Sequence, residues 1–289
     1  MRKGIILAGG TGSRLGPITS SISKQLLPIY DKPMVYYAIC TLLLSGIKDI
    51  LIISTPAHMP LYKKLLNDGS QWGVNLNFLV QDKPNGIGEA FIIGKQFIGN
   101  DDVALILGDN IFYGNDLANI LTHASNASNP ATIFAYNVDN PIDYGVVQIS
   151  EDGSALSIEE KPKKPKSSFA VTGLYFYDKS VVDVAESIKP SERGELEITD
   201  INSFYLENNK LNVEILGRGI AWLDTGSPAN LTEASQFIST IQKRQGLLVS
   251  CPEEIAFNKG YINNEDLLRI SKSYGRSEYS NYLLKLIKG

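Results

Sequence analysis

An apolar run, Gly4-Ile5-Ile6-Leu7, feeds directly into Ala8-Gly9-Gly10-Thr11-Gly12-Ser13-Arg14. The run reads as a buried first strand. Three glycines within four residues let the backbone turn sharply and approach a ligand closely. Successive backbone N–H groups in such a loop form a concave anion site. Arg14 adds a planar fork suited to phosphate oxygens, and Lys24, within Ser23-Lys24-Gln25-Leu26-Leu27-Pro28, adds a mobile point charge. A strand feeding a glycine-rich loop with two cations is suited to holding polyphosphate. The spacing is not that of a P-loop, because no lysine follows Gly12. It is not a dinucleotide fingerprint either, since the glycines fall at 9, 10, 12 and 16.

The rest of the chain gives that loop an α/β setting. Strand-like runs at 3–7, 49–54, 75–80, 103–107 and 131–136 alternate with helical spacing over 33–45, 59–68, 87–97 and 117–127. Repeated βα units predict a mostly parallel, Rossmann-like sheet with helices on both faces. After about residue 140 the pattern changes: 144–149, 155–160 and 169–177 alternate more, which predicts a β-rich addition over about 140–220. The chain then divides into a core over 1–227 and a helical C-terminal segment over 228–289, with helices at 231–244, 265–273 and 278–287. That segment is either an interface contributor or a cap on the monomer. The 289 residues, 43% of them hydrophobic, suffice for a large core. A net charge of −4 implies no sequence-independent grip on nucleic acid. Two cysteines, Cys40 and Cys251, with no signal peptide and no long apolar span, predict a soluble cytoplasmic protein.

In open sheets of this kind ligands bind beyond the carboxyl ends of the strands. The Gly loop, Gln81, Asp109 and Asp224 all follow apolar runs and are expected on that edge. A carboxylate after a buried strand and a glycine, as in Leu107-Gly108-Asp109-Asn110, suits Mg²⁺ held against phosphate oxygens. Asp224 is the natural second ligand, although Asp224-Thr225-Gly226 also fits an ordinary turn. His58 and His123 fall in helical segments, and no Ser-His-Asp, Cys-His or zinc-type cluster is apparent. A direct in-line displacement needs no such group.

The motif Leu-Ala-Gly-Gly-x-Gly-x-Arg-Leu from Leu7, then Lys24-Gln25-Leu26-Leu27-Pro28 and Asp31-Lys32-Pro33-Met34, resembles sugar-1-phosphate nucleotidylyltransferases, and most nearly the glucose-1-phosphate thymidylyltransferase group. The resemblance runs nearly end to end, through Gly108-Asp109-Asn110, Tyr144-Gly145-Val146-Val147, Glu159-Glu160-Lys161-Pro162, Val171-Thr172-Gly173, Arg193-Gly194-Glu195-Leu196-Glu197 and Trp222-Leu223-Asp224-Thr225-Gly226. It implies that Leu7, Gly9, Gly10, Thr11 and Gly12 bind the nucleotide, and that Arg14, Lys24 and Asp109 are catalytic. It also implies that Asp109 and Asp224 hold the catalytic Mg²⁺, and that Gly145, Glu160, Lys161 and Val171 surround the hexose phosphate. Arg193 either reaches the phosphate or is a solvated loop residue. Glu195 and Glu197 are solvated or structural.

The reaction so implied is transfer of a thymidylyl group from dTTP to glucose 1-phosphate, giving dTDP-glucose and pyrophosphate, the first step towards dTDP-deoxysugars. The partners implied are those two small molecules, a homotetramer and a feedback inhibitor of the dTDP-sugar class, with neither nucleic acid nor membrane. Base recognition falls to Gln81, whose amide offers a donor and an acceptor to the imide edge of thymine or uracil, and to Gly86, which lets the loop lie against the base. The usual continuation in the group is Gly-Leu-Ala-Gln-Ala; this chain has Gly86-Ile87-Gly88-Glu89-Ala90, which leaves dTTP against UTP open. Other open readings are another hexose 1-phosphate, a glycosyltransferase and a nucleotide-sugar sensor without catalysis. The second lacks its D-x-D pair at Asp109-Asn110-Ile111, and the third predicts loss of residues that are present.

Overall fold

Strand β1 (Arg2–Ala8) is apolar on both sides, so it belongs in the middle of a sheet with two covered faces. A computed structural model describes residues 2–10 and 12–288. After β1 come two-residue strands β2 (Pro28–Ile29) and β3 (Lys32–Pro33), then β4 (Asp49–Ser54), β5 (Asn75–Val80), β6 (Asp102–Leu107) and β7 (Asn110–Gly114). The remaining strands are β8 (Ala131–Asn137), β9 (Gly145–Ile149), β10 (Ala155–Glu160), β11 (Phe169–Tyr177), β12 (Leu211–Leu216) and β13 (Ile220–Asp224). The helices of the first half are α1 (Val35–Leu44), α2 (Met59–Leu66), α3 (Glu89–Ile93), α4 (Lys95–Ile98) and α5 (Leu117–Asn126). Those of the second are α6 (Val181–Ser187), α7 (Ile198–Glu207), α8 (Pro228–Gln245), α9 (Pro252–Asn258), α10 (Asn264–Ser273) and α11 (Glu278–Lys288).

The main sheet runs β10-β9-β11-β6-β1-β4-β5, with β8 on the other flank of β11 and β12 beyond it. The pairings leave only β10 and β11 running against the other strands of this sheet. Alternate residues of each central strand enter opposite cores. Ile6, Ile50, Ile52 and Ile106 pack under α1, α2, α5 and the C-terminal helices. Ile5, Leu51, Ile53 and Leu105 pack under α3, α4, α6 and α7. That is the period-2 consequence of a continuous apolar run covered on both faces.

Three departures from the sequence reading have local causes. The helix expected over 87–97 is split into α3 and α4 at Gly94. A β-carbon there would lie 3.0 Å from both the Ala90 carbonyl oxygen and Ile5 Cδ1, so the helix presses on the sheet through a bare backbone. Helices α6, α7 and α9 and strands β7, β12 and β13 are short or half-polar, and hydrophobic spacing alone did not mark them. Asp224 does not end a strand of the main sheet: β13 pairs antiparallel with β7 in a separate ribbon.

The tail is part of the main core. Cys251, Ala256, Leu267, Ile270 and Leu283 belong to the same apolar cluster as Ile6 and Ile52. Its anchor is Glu253, fully buried, whose carboxylate accepts from Trp72 Nε1 at 3.0 Å, Tyr274 OH at 2.8 Å and Tyr279 OH at 2.6 Å. The carboxylate thus joins α9, α11 and the turn before β5. Among the described residues no helix is long and apolar enough to cross a membrane. Glu253→Ala leaves the buried Trp72 indole N–H and two partly exposed tyrosine hydroxyls without their acceptor, and the expected loss of stability is about 3 kcal/mol. Chemical denaturation of wild type and variant measures it.

Candidate active site

The first strand hands over to the glycine-rich loop. Gly12 has φ of 62°, a left-handed conformation that favours glycine, and its carbonyl accepts from Thr19 Oγ1 at 2.8 Å. Gly10, Gly12, Ser13, Arg14, Lys24 and Asp109 border one cavity of about 230 Å³. Thr11 lies outside the described residues. Lys24 is buried, and its Nζ stands 2.6 Å from Asp109 Oδ2. Arg14 is exposed at the mouth of the cavity.

Asp109 and Asp224 reach one another through the β7–β13 ribbon, whose register sets Asp224 opposite Asn110. Thr225 closes the arrangement by donating its Oγ1–H to the Asp109 carbonyl at 2.9 Å. Asn110 Nδ2 donates to Asp109 Oδ1 at 3.0 Å, and Asn230 Nδ2 donates to the Asp224 carbonyl at 3.0 Å. Burial, and then the charge of Asp109, push the Asp224 carboxyl above its ordinary range, against the pull of Lys24 and Arg14. Gly226 keeps this corner open: a β-carbon there would stand 3.1 Å from Asp224 Oδ2 and 3.2 Å from Arg14 Nη2.

A second cavity of about 360 Å³ shares Arg14, Asp109 and Gly226 with the first and continues past Gly145, Glu160, Lys161 and Val171. Glu160 accepts from Thr199 Oγ1 at 2.5 Å and lies 3.6 Å from Lys161 Nζ. Arg193 is exposed but paired. Its Nη2 donates to Glu197 Oε1 at 2.9 Å and lies 3.7 Å from both Glu160 and Glu195. Glu197, also bonded to Ser191 Oγ, is the structural member of that pair of glutamates. Thr199 and Trp222 line the same cavity but were not singled out from sequence. Trp222 is fixed by its indole N–H, which donates to Asn110 Oδ1 at 2.6 Å.

The third cavity, about 190 Å³, lies between the loop and the end of β5 and is lined by Leu7, Gly9, Gly10, Gln81, Gly86 and Arg193, among others. It meets the second at Ile87, Glu160, Lys161 and Ile198. Gly86, with φ of 104°, is required for a reason the sequence did not give. A β-carbon would stand 2.4 Å from the Leu196 carbonyl, so the glycine is required by a tight approach to protein backbone. Leu196 N–H donates to the Asn85 carbonyl at 2.7 Å and Gly88 N–H to the Leu196 carbonyl at 2.9 Å, stitching the two loops together.

Three adjoining cavities, with two cations and two carboxylates where the first two meet, suit a polyphosphate beside a second polar substrate. Residues 3–241 match the family described as nucleotidyl transferase. The chain belongs to that family. It is 53% identical over 286 residues, 99% of each chain, to the glucose-1-phosphate thymidylyltransferase of Neisseria meningitidis serogroup A. It is 55% identical over 285 residues, again 99% of each, to the enzyme of that name from Mycolicibacterium smegmatis. Among solved structures, a Bacillus anthracis protein assigned as a glucose-1-phosphate thymidylyltransferase, in complex with a sucrose, matches with TM-score 0.76 and 43% identity, covering 82% of this chain and 95% of that one. A UDP-glucose pyrophosphorylase complexed with UDP-glucose matches with TM-score 0.73 and 25% identity, covering 84% of this chain and all of that one.

Within this nucleotidyl transferase the loop glycines differ in what they do. Nothing stands within 4 Å of a β-carbon at residue 10, whereas one at residue 9 would lie 2.5 Å from Gln81 Oε1. Gly9→Ala therefore displaces the Gln81 amide. Nucleoside triphosphate binding is expected to weaken about tenfold, the size of one misplaced polar contact, with the thermal melt unchanged. Isothermal titration with the triphosphate checks it.

Proposed function

We propose that the chain transfers a thymidylyl group from dTTP to glucose 1-phosphate, giving dTDP-glucose and pyrophosphate, and so opens a route to dTDP-deoxysugars. The observation that carries this reading is the meeting of the phosphate and sugar cavities at Arg14, Asp109 and Gly226. It supports a triphosphate on the loop side and a sugar phosphate on the other, with the reacting phosphorus between them. The family membership and the names of its relatives support the same reaction.

On this reading the sugar-phosphate oxygen attacks the α-phosphorus and pyrophosphate leaves. The attacking phosphate is already ionised near pH 7, so no general base is needed. Lys161 binds the incoming phosphate, Glu160 accepts from sugar hydroxyls, and Gly145 and Val171 form the wall behind them. Lys24 and Arg14 hold the triphosphate and balance the charge that grows on the leaving group. Leu7, Gly9, Gly10, Thr11 and Gly12 provide the bed for the nucleotide, and Gln81 faces its base.

Two carboxylates on one cavity fit Mg²⁺, which takes one or two carboxylates and completes its shell with phosphate oxygens and waters. No group of three or more His, Cys, Asp or Glu among the described residues forms an independent metal site, so the fit depends on the substrate phosphates. Asp109 and Asp224 would hold the ion, which when bound supplies neutralisation of phosphate charge. The same reading takes the enzyme as a cytoplasmic homotetramer answering to a dTDP-sugar.

Pyrophosphate release measured across a panel of triphosphates and sugar phosphates tests the assignment. The pair dTTP and glucose 1-phosphate is expected to give the highest kcat/KM, and a preference for UTP would replace it. In the same assay Asp109→Asn and Asp224→Asn are each expected to lose most turnover while melting near the wild-type temperature. Near wild-type turnover at limiting Mg²⁺ would remove that residue from the metal site.

The displacement should be single. Burial pushes the thiols of Cys40 and Cys251 well up, and both lie in the core. Varying both substrates is expected to give intersecting initial-rate lines. Incubation with Mg²⁺ and α-labelled dTTP alone is expected to leave no label on denatured protein; stoichiometric label would instead establish a nucleotidyl-enzyme intermediate.

A further inference from the structure

Gln81, at the end of β5, is only 4% exposed, and its two amide atoms have opposite surroundings. Nε2 donates to Glu89 Oε2 at 2.7 Å and lies 3.4 Å from the Gly86 carbonyl oxygen. Oε1 lies over Gly9, on the third cavity, and among the described residues it accepts no hydrogen bond. Glu89 is the first residue of α3, where a carboxylate is favoured by the free N–H groups of the helix end. Its other oxygen accepts from Asn85 Nδ2 at 2.8 Å. One side chain therefore ties the end of β5, the middle of the following loop and the start of α3.

An ionised carboxylate only accepts hydrogen bonds, and so does a carbonyl. With Glu89 and Gly86 both offering oxygen, the Gln81 amide has one stable orientation. Turning it over would set its oxygen against two acceptors and forfeit a charge-assisted bond. The oxygen on the cavity side, without a hydrogen bond among the described residues, is thereby committed to accepting from whatever donor a ligand presents there.

We infer that Glu89 is a positioning residue for base selection. By fixing the polarity of the Gln81 amide, it makes the site accept the N3–H of an imide base and reject cytosine, whose N3 carries a lone pair instead. This rests on the assignment of Gln81 to the nucleobase given above. It deepens that assignment by naming the atom that meets the base and the group that aims it. It also gives a function to this chain's Glu89, which stands where the related group commonly has glutamine.

The test uses full-length enzyme and steady-state kinetics with dTTP, UTP and dCTP for a series graded by what residue 89 can accept. Glu89→Lys can only donate, so the amide turns over. The dTTP:dCTP ratio of kcat/KM is expected to fall at least about tenfold, carried by KM for dTTP with kcat changed less than about twofold. Glu89→Ala is expected to fall between, and Glu89→Gln, which keeps an acceptor, to restore most of the selectivity. The dTTP:UTP ratio should stay constant throughout, because both bases share the imide edge. A mere loosening of the loop would disturb both ratios together. Thermal shifts with dTTP and dCTP give the same comparison for any variant too inactive to assay. Wild-type enzyme that uses dTTP but does not discriminate against dCTP overturns the inference, as does an unchanged ratio in Glu89→Ala and Glu89→Lys. Wild-type enzyme that uses neither dTTP nor UTP overturns the assignment of function instead.

Discussion

Asn110 ties together the parts that make the site. Its side-chain oxygen accepts from the Trp222 indole at 2.6 Å and from the Gly173 backbone N–H at 3.0 Å, while its amide donates to Asp109. Those bonds join β7, β13 and the irregular middle of β11, where pairing with β8 shifts between Val171 and Tyr175. A β-carbon at Gly173 would stand 2.7 Å from Asn110 Oδ1, so the strand can receive this side chain only through a glycine. Where β11 bends, β9 replaces β6 as its neighbour, and the sheet opens into the second cavity. The carboxylates, the fork in the sheet and the aromatic wall are thus set by one amide.

The charges around that amide are arranged for a substrate still to come. Lys24 lies on Asp109, Arg193 on Glu197, and Asp224 is half-buried near a like charge. Each is satisfied or tolerated without ligand, yet each borders one of the three adjoining cavities. A polyphosphate entering such a site exchanges partners with groups already in place. Little reorganisation is then left for the moment of reaction.

Much of this was legible in the sequence, for reasons that can be named. The central strands carry unbroken apolar runs, and the glycine-rich loop follows the first of them with its cations at fixed offsets. The fold class and the residues gathered around the phosphate cavity follow from those features. What the sequence hid depends on tertiary contact. Gly86 reads as a ligand-facing glycine, and its sequence gives no sign that it is also needed against Leu196, more than a hundred residues away in the chain. Arg193 carries no local sign that Glu197 and Glu160 will hold it. The role of Glu89 appears only once Gln81 is seen beside it, because α3 begins where the loop folds back. The ribbon of β7 and β13 was hidden for a similar reason: two short segments gain meaning only by pairing.

The stitching of Leu196 to Asn85 and Gly88 bears on how the protein can diversify. The loop that follows β5 and the loop that carries Arg193 border the same third cavity and share backbone hydrogen bonds, so neither can be lengthened or re-registered alone. A change in one wall of that cavity is then mechanically tied to a change in the other. A lineage exploring new donors and acceptors from this scaffold would change the two together, or confine itself to side chains such as Glu89 that alter polarity without moving the chain.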